Sequence, residues 1–432
     1  MTILLYEMSL DQYVAQADEV VLELKGITQF DGEHHILPPK SGRSLVTRMK
    51  SIAGQTHSIM PQSAYEKVIF SEIKRRLEGD AFYLDVKLSG KSHDFETVLH
   101  ILDIPSEDVS SIKPWLVSHK EEAEEAVERL YVLRKNNEEK FDISMDVPSE
   151  HDEAIGAVGS RIKHYHTIIG KLLGKLSNKG SYLLHLEALP TKGDRSYFNP
   201  PLNRLALSIS ALVYLTNDRR MHVDDREMIR LYGHEGMGHA LNKVATDESN
   251  LPFFLKQSSA VTIATEESVA QFYERRLFED LLQSPETQRS LDIEHRFQKI
   301  YDEARDLRLL QEYNKNIFYY SISVLADTSL GNHSDPLVVK KRMALIDSVA
   351  LDRRTASNIV EQNRYNYDSE GNLYSSLVSE LRYCARPVQR VLELFSAKNR
   401  QYDLNNRNVI DTLFLTGFWT PRGLVENAAL VA

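Results

Sequence analysis

The chain has 432 residues, 42% hydrophobic and 26% charged. That is the make-up of a globular protein with a sizeable core, and it excludes a disordered, collagen-like or disulfide-stapled chain. A formal net charge of −10 argues against nucleic acid as a partner, and the single cysteine, Cys384, allows neither an internal disulfide nor a cysteine-based metal site. No run approaches the roughly 18 apolar residues needed to cross a bilayer. Met1–Glu7 lacks the basic start of a signal peptide. The expectation is therefore a soluble, cytoplasmic protein with no membrane partner.

Apolar positions recur at three- and four-residue spacing near 9–25, 62–78 and 107–134, which predicts helices there. Lys74-Arg75-Arg76 reads as a solvated helix face, and the acid-rich Glu121–Glu128 as the exposed side of a long helix. Polar residues from Lys135 to Lys140, then Pro148, mark a boundary. This divides the chain into an N-terminal helical region, 1–145, and a larger region, 146–432; an interhelix loop is the other reading of the same stretch. Residues 153–176 read as helix. Tyr182–Leu186 and Leu205–Ser210 are short, apolar and flanked by Gly180, Pro190 and Pro200-Pro201, so they read as strands. From about 223 the pattern is helical nearly to the end, broken by a polar turn at 367–372. The fold class is α+β, predominantly helical.

Chemistry concentrates in His234-Glu235-Gly236-Met237-Gly238-His239. Asp224 and Glu227 form a capping-box pattern just upstream, which sets both histidines inside a helix. In a chain with 15 histidines and 62 acidic residues, His-acid-x-x-x-His is expected by chance only about 0.07 times. Five residues on a regular α-helix turn through roughly 140°, against about 40° for four, so the two rings would diverge. A π-bulge brings them back to one face. Gly236 and Gly238 make such a turn easier, although each costs about 1 kcal/mol relative to alanine in a helix.

A catalytic zinc takes three protein ligands and leaves one position open. Thr265-Glu266-Glu267 supplies a candidate third ligand at a helix start, with Thr265 as the cap. Periodicity aligns Glu266 with Val269, Ala270, Tyr273 and Leu277, and so favours it over Glu267. Arg275, Arg276, Arg364 and Arg382 are available for a substrate carboxylate, and the sequence selects none of them. His164 and His166 face different sides of their helix, His34-His35 sits in a polar loop, and Asp292 and His295 have no matching partner motif.

The two segments together resemble the microtubule-associated tyrosine carboxypeptidase family and its uncharacterised bacterial relatives. In those proteins an HExxxH helix is followed about thirty residues later by Thr-(Glu/Gln)-Glu-Gly-Leu-Ala; here His239 and Glu267 are 28 residues apart. Ser268 and Val269 replace the family's Gly and Leu, and Gly236-Met237 stands at its Ile-Gly. The resemblance covers residues 205–280. It implies a gluzincin-like metallopeptidase core in 146–432, with a small sheet beside the HExxxH helix. It also implies Zn2+ held by His234, His239 and the second acid, Glu267, with Glu235 as catalytic base. The implied reaction is zinc-dependent removal of the C-terminal residue of a peptide or protein. Specificity for an aromatic residue, tyrosine, belongs to the animal relatives and is carried by no residue here. The dipeptidyl peptidase III family, whose EExxA start is echoed by Glu266-Glu267-Ser268-Val269-Ala270, spaces its motifs further apart and ranks second. A helical scaffold with a structural or vestigial metal site is the non-enzymatic alternative.

Overall fold

The computed structural model describes residues 9–28, 39–55, 59, 61–136, 148–169, 185–189, 196–199, 204–208, 212–215, 221–331, 335–363, 366–368, 370–397 and 407–432. The protein is predominantly helical, and no described helix is long and apolar enough to cross a membrane. Two compact units share the chain: Met1–Lys120 with Ser249–Glu266 and Asn314–Ala432, and Glu121–Glu248 with Glu267–Tyr313. The units alternate along the chain, where the sequence reading divides it once, at 145/146. Composition marks a linker; it carries no sign of a chain that leaves a unit and comes back to it.

In the first unit, the Ala64–Ser89 helix opens on a capping box between Ser63 and Glu66 and ends at Gly90, whose φ of 64° suits a residue without Cβ. Its stripe of Val68, Ile69, Ile73, Leu77 and Ala81 is buried, and Glu72 and Arg76 are buried with it. Arg76 donates to the main-chain carbonyls of Phe254 and, at 2.7 Å, Gln257. Glu72 accepts from the N–H and the hydroxyl of Thr420, both at 2.7 Å. The reading of Lys74-Arg75-Arg76 as a solvated face is thereby corrected. Successive helical residues point about 100° apart, so three in a row cannot share one face. Lys74 faces water, Arg75 pairs with Glu72 and Glu426, and Arg76 enters the core. Further on, Asp368 shapes the expected polar turn by accepting from the N–H groups of Glu370 and Asn372 at 2.9 and 3.0 Å.

The second unit contains the strands. His185–Leu189 (β1) runs parallel to Arg204–Ser208 (β3), and Tyr197–Asn199 (β2) runs antiparallel to β3, giving the order β1-β3-β2. Val213–Leu215 (β4) and Met221–Val223 (β5) form a separate antiparallel pair. The second expected strand, 205–210, is present over Arg204–Ser208 as β3, and 209–210 lie outside the described residues. The first begins later than expected, at His185, and Tyr182–Leu184 lie outside the described residues. Three-residue strands such as β2, β4 and β5 are too short to register as alternation. The expected helix at 153–176 is present over Pro148–Ile169, and 170–176 lies outside the described residues.

Candidate metal centre

Asp224 caps the Asp225–Leu231 helix, accepting from the N–H groups of Arg226 and Glu227 at 3.0 and 3.2 Å. The reciprocal arm of the expected capping box is not made. Asp224 N–H donates instead to the Leu212 carbonyl, and the Glu227 carboxylate is held by Arg230 at 2.6–2.9 Å. The helix then widens into a π-helix over Tyr232–Ala240, where the Leu241 N–H bonds the Gly236 carbonyl five residues back. A turn closed at i and i+5 returns His239 to the same face of the helix as His234. Their rings meet edge to face, with centroids 5.1 Å apart.

The partner helix begins at Ile263, two residues before the expected cap. Thr262 stands just before it: its main-chain carbonyl accepts from Thr265 and Glu266 N–H at 2.9 and 3.1 Å, and its hydroxyl accepts from Ser259 N–H at 2.8 Å and donates to Glu266 at 2.7 Å. Thr265, expected as the cap, is buried, and its hydroxyl has no hydrogen bond. Glu266 is buried as its periodicity predicts, but it turns back to the hydroxyls of Ser258 and Thr262. Glu267 faces the histidines. Burial and ligation are different properties, and the apolar stripe reports only the first.

Glycines set how closely the π-helix approaches this partner helix. A Cβ on Gly238 would lie 2.4 Å from Ala270 Cα, and one on Gly233 would lie 2.7 Å from Glu274 Cα. Gly236 is different, since a Cβ there would meet only the Tyr232 ring, at 3.3 Å. Two of the three glycines thus serve backbone-to-backbone packing, a need that the sequence motif does not display.

That approach brings His234 Nε2 to 3.5 Å from Glu267 Oε2, and His239 Nε2 to 3.5 Å from Glu267 Oε1. One ligand atom from each of the three residues lies within 4.8 Å of the other two, and no other such trio of His, Cys, Asp or Glu occurs among the described residues. Two atoms bonded at about 2.0–2.1 Å to a tetrahedral zinc lie about 3.3–3.4 Å apart, so the donor set fits such an ion. Glu235 is buried, and its Oε2 accepts the Phe198 N–H from β2 at 2.9 Å. On the far side of His234, Nδ1 is buried without a hydrogen bond, and Glu274 Oε2 lies 3.4 Å away.

Burial by itself would lower the His234 pKa, but Glu267 and Glu274 outweigh it and raise the ring to about 10. Burial would likewise raise Glu267, yet the two imidazoles hold it far below the usual carboxylate range. In chelator-treated protein, a raised imidazole stabilises the fold fully below its unfolded value near 6.5, and loses that contribution as pH rises through about 10. Urea midpoints of the chelated protein are expected to fall steadily from pH 6.5 to 10. A flat profile there would show that the ring is not held by these carboxylates.

The remaining sequence candidates lie elsewhere. His164 Nε2 is 2.8 Å from the Ser290 carbonyl and His166 Nδ1 is 3.0 Å from the Tyr232 hydroxyl, so the two do face different sides. Arg275 pairs with Glu279, Arg276 is buried over Tyr273, and Arg382 donates to the Ala260 carbonyl. Arg364 and His34-His35 lie outside the described residues. Sequence reasoning missed Glu274 and the Phe198 amide. Glu274 carried one signal, its spacing of seven from Glu267, which puts both acids on one face of the helix two turns apart. The Phe198 amide carried none, because any residue supplies that group. Compared with protein-family models, with curated proteins and with solved structures, the chain matches none.

Proposed function

We propose that the protein is a zinc-dependent peptidase in which His234, His239 and Glu267 hold the metal and Glu235 is the catalytic base. One observation carries this reading: His234 Nε2 and His239 Nε2 each lie 3.5 Å from an oxygen of Glu267, with ligand atoms of all three residues within 4.8 Å of one another, beside a buried carboxylate that accepts a main-chain hydrogen bond. Among the described residues the site has three protein ligands, one fewer than a closed structural site uses, which favours catalysis over a purely structural role. When bound, zinc supplies a Lewis acid and lowers the pKa of a water molecule towards neutrality.

The protein's own groups divide the remaining work. The Phe198 N–H fixes one oxygen of Glu235 and so sets the plane of the carboxylate. Its other oxygen, Oε1, is left to take a proton from the attacking water and hand it to the leaving amine. Glu267 contributes negative charge between the two imidazoles. A gluzincin-like core, and action at the C-terminus of a peptide or protein, rest on the sequence resemblance over 205–280.

Elemental analysis of wild type and His234→Ala tests the proposal. Near one zinc per chain is expected in wild type and none in the variant, with chelation abolishing peptide hydrolysis without unfolding the chain. A wild type that takes up no zinc overturns the reading.

A further inference from the structure

We infer that Glu274, backed by Arg230, is a positioning residue for the metal site: it accepts a hydrogen bond from His234 Nδ1–H and thereby presents the Nε2 lone pair to the metal. This rests on the zinc reading above. Within the second unit, Glu274 is buried two helical turns beyond Glu267, so the two carboxylates take opposite nitrogens of the same ring. His234 Nδ1 is buried and otherwise without a partner. A buried N–H with no acceptor costs about 1–3 kcal/mol, and Glu274 Oε2 at 3.4 Å is the acceptor that faces it.

Glu274 is itself held. Its Oε2 lies 3.7 Å from Arg230, whose guanidinium is fixed on its other side by three hydrogen bonds to Glu227. Gly233 allows the approach, since any side chain there would strike the Glu274 backbone. A neutral imidazole carries its proton on one nitrogen only, and a carboxylate at Nδ1 selects the tautomer in which Nε2 is the ligand. Sequence spacing alone would make Glu274 another acid in the sequence Glu274-Arg275-Arg276. The structure makes it one end of a charged chain, Arg230–Glu274–His234.

The test is a zinc titration against a competing chelator with full-length wild type, Glu274→Gln and Glu279→Gln. Glu279 is an exposed acid on the same helix, and its variant removes the same charge without touching His234. Loss of a carboxylate behind a ligating histidine weakens metal binding by about 10- to 100-fold, and that loss is expected for Glu274→Gln alone. Its metal-free melting temperature should fall, since Glu274 also supports the charged His234 ring, and zinc affinities are therefore compared at a temperature well below both melting transitions. Nitrogen chemical shifts of His234 in the zinc-loaded protein should report a single Nδ1–H tautomer in wild type, and its weakening in Glu274→Gln. Equal zinc affinity in wild type and Glu274→Gln, or an equal loss in Glu279→Gln, overturns the inference while leaving the zinc site in place. Absence of zinc from wild type removes both.

Discussion

Replacing Glu235 by Gln is expected to cut peptide hydrolysis by about 10²- to 10⁴-fold, the usual worth of a positioned general base, while one zinc per chain remains bound. Gln suits the test because of what the Phe198 amide needs. That N–H is buried and donates to Glu235 Oε2. A Gln side chain keeps an oxygen for it, whereas Ala would strand a buried donor and confound chemistry with instability. The substitution therefore removes the proton acceptor at Oε1 and little else. Turnover of a peptide library by matched, zinc-loaded wild type and variant is the measurement. Hydrolysis at the wild-type rate in Glu235→Gln would remove this residue from the mechanism.

Gly238→Ala should have the second large effect, with a sign opposite to the ordinary one. In an unremarkable helix the change from glycine to alanine stabilises by about 1 kcal/mol. Here the new Cβ would fall 2.4 Å from Ala270 Cα and 2.7 Å from Ala270 Cβ, atoms fixed to a helix backbone that no rotamer change can move aside. The helices must separate, and overpacking of this kind costs about 1–3 kcal/mol. Ala270 lies between Glu267 and Glu274 on one helix, so separation draws both carboxylates away from His234. A lower melting temperature and weaker zinc binding are expected together. Gly236→Ala is the comparison, since its Cβ would meet only the edge of the Tyr232 ring. If Gly238→Ala melts and binds zinc as wild type does, the close approach is not what shapes the site.

The sequence made some of this legible and left the rest hidden, for physical reasons. His234, Glu235 and His239 stand out because metal chemistry demands particular residue types at a particular spacing, and the five-residue interval itself calls for a widened turn. That turn is present as the Tyr232–Ala240 π-helix. The choice between Glu266 and Glu267 could not be made from the apolar stripe: both lie close to the inner face, and the difference depends on which hydroxyls stand at the helix start. Arg76 shows the same limit. Its charge argues for the surface, while its position among Ile69, Ile73 and Leu77 argues for the core, and main-chain carbonyls of Phe254 and Gln257 decide the matter. Those acceptors lie some 180 residues away in the chain, at separations of 178 and 181. No local pattern anticipates them.

The glycine-rich π-helix also bears on the order in which the protein assembles. Three of its nine residues are glycine, the weakest helix former apart from proline, so the stretch has little tendency to hold any helical shape alone. Its geometry is lent to it by the helix carrying Ala270 and Glu274. In a newly made chain that helix lies downstream and is synthesised later. The two histidines are accordingly expected to be brought to one face only after residues beyond 274 have emerged and docked, so their pairing follows the packing of the two helices rather than preceding it.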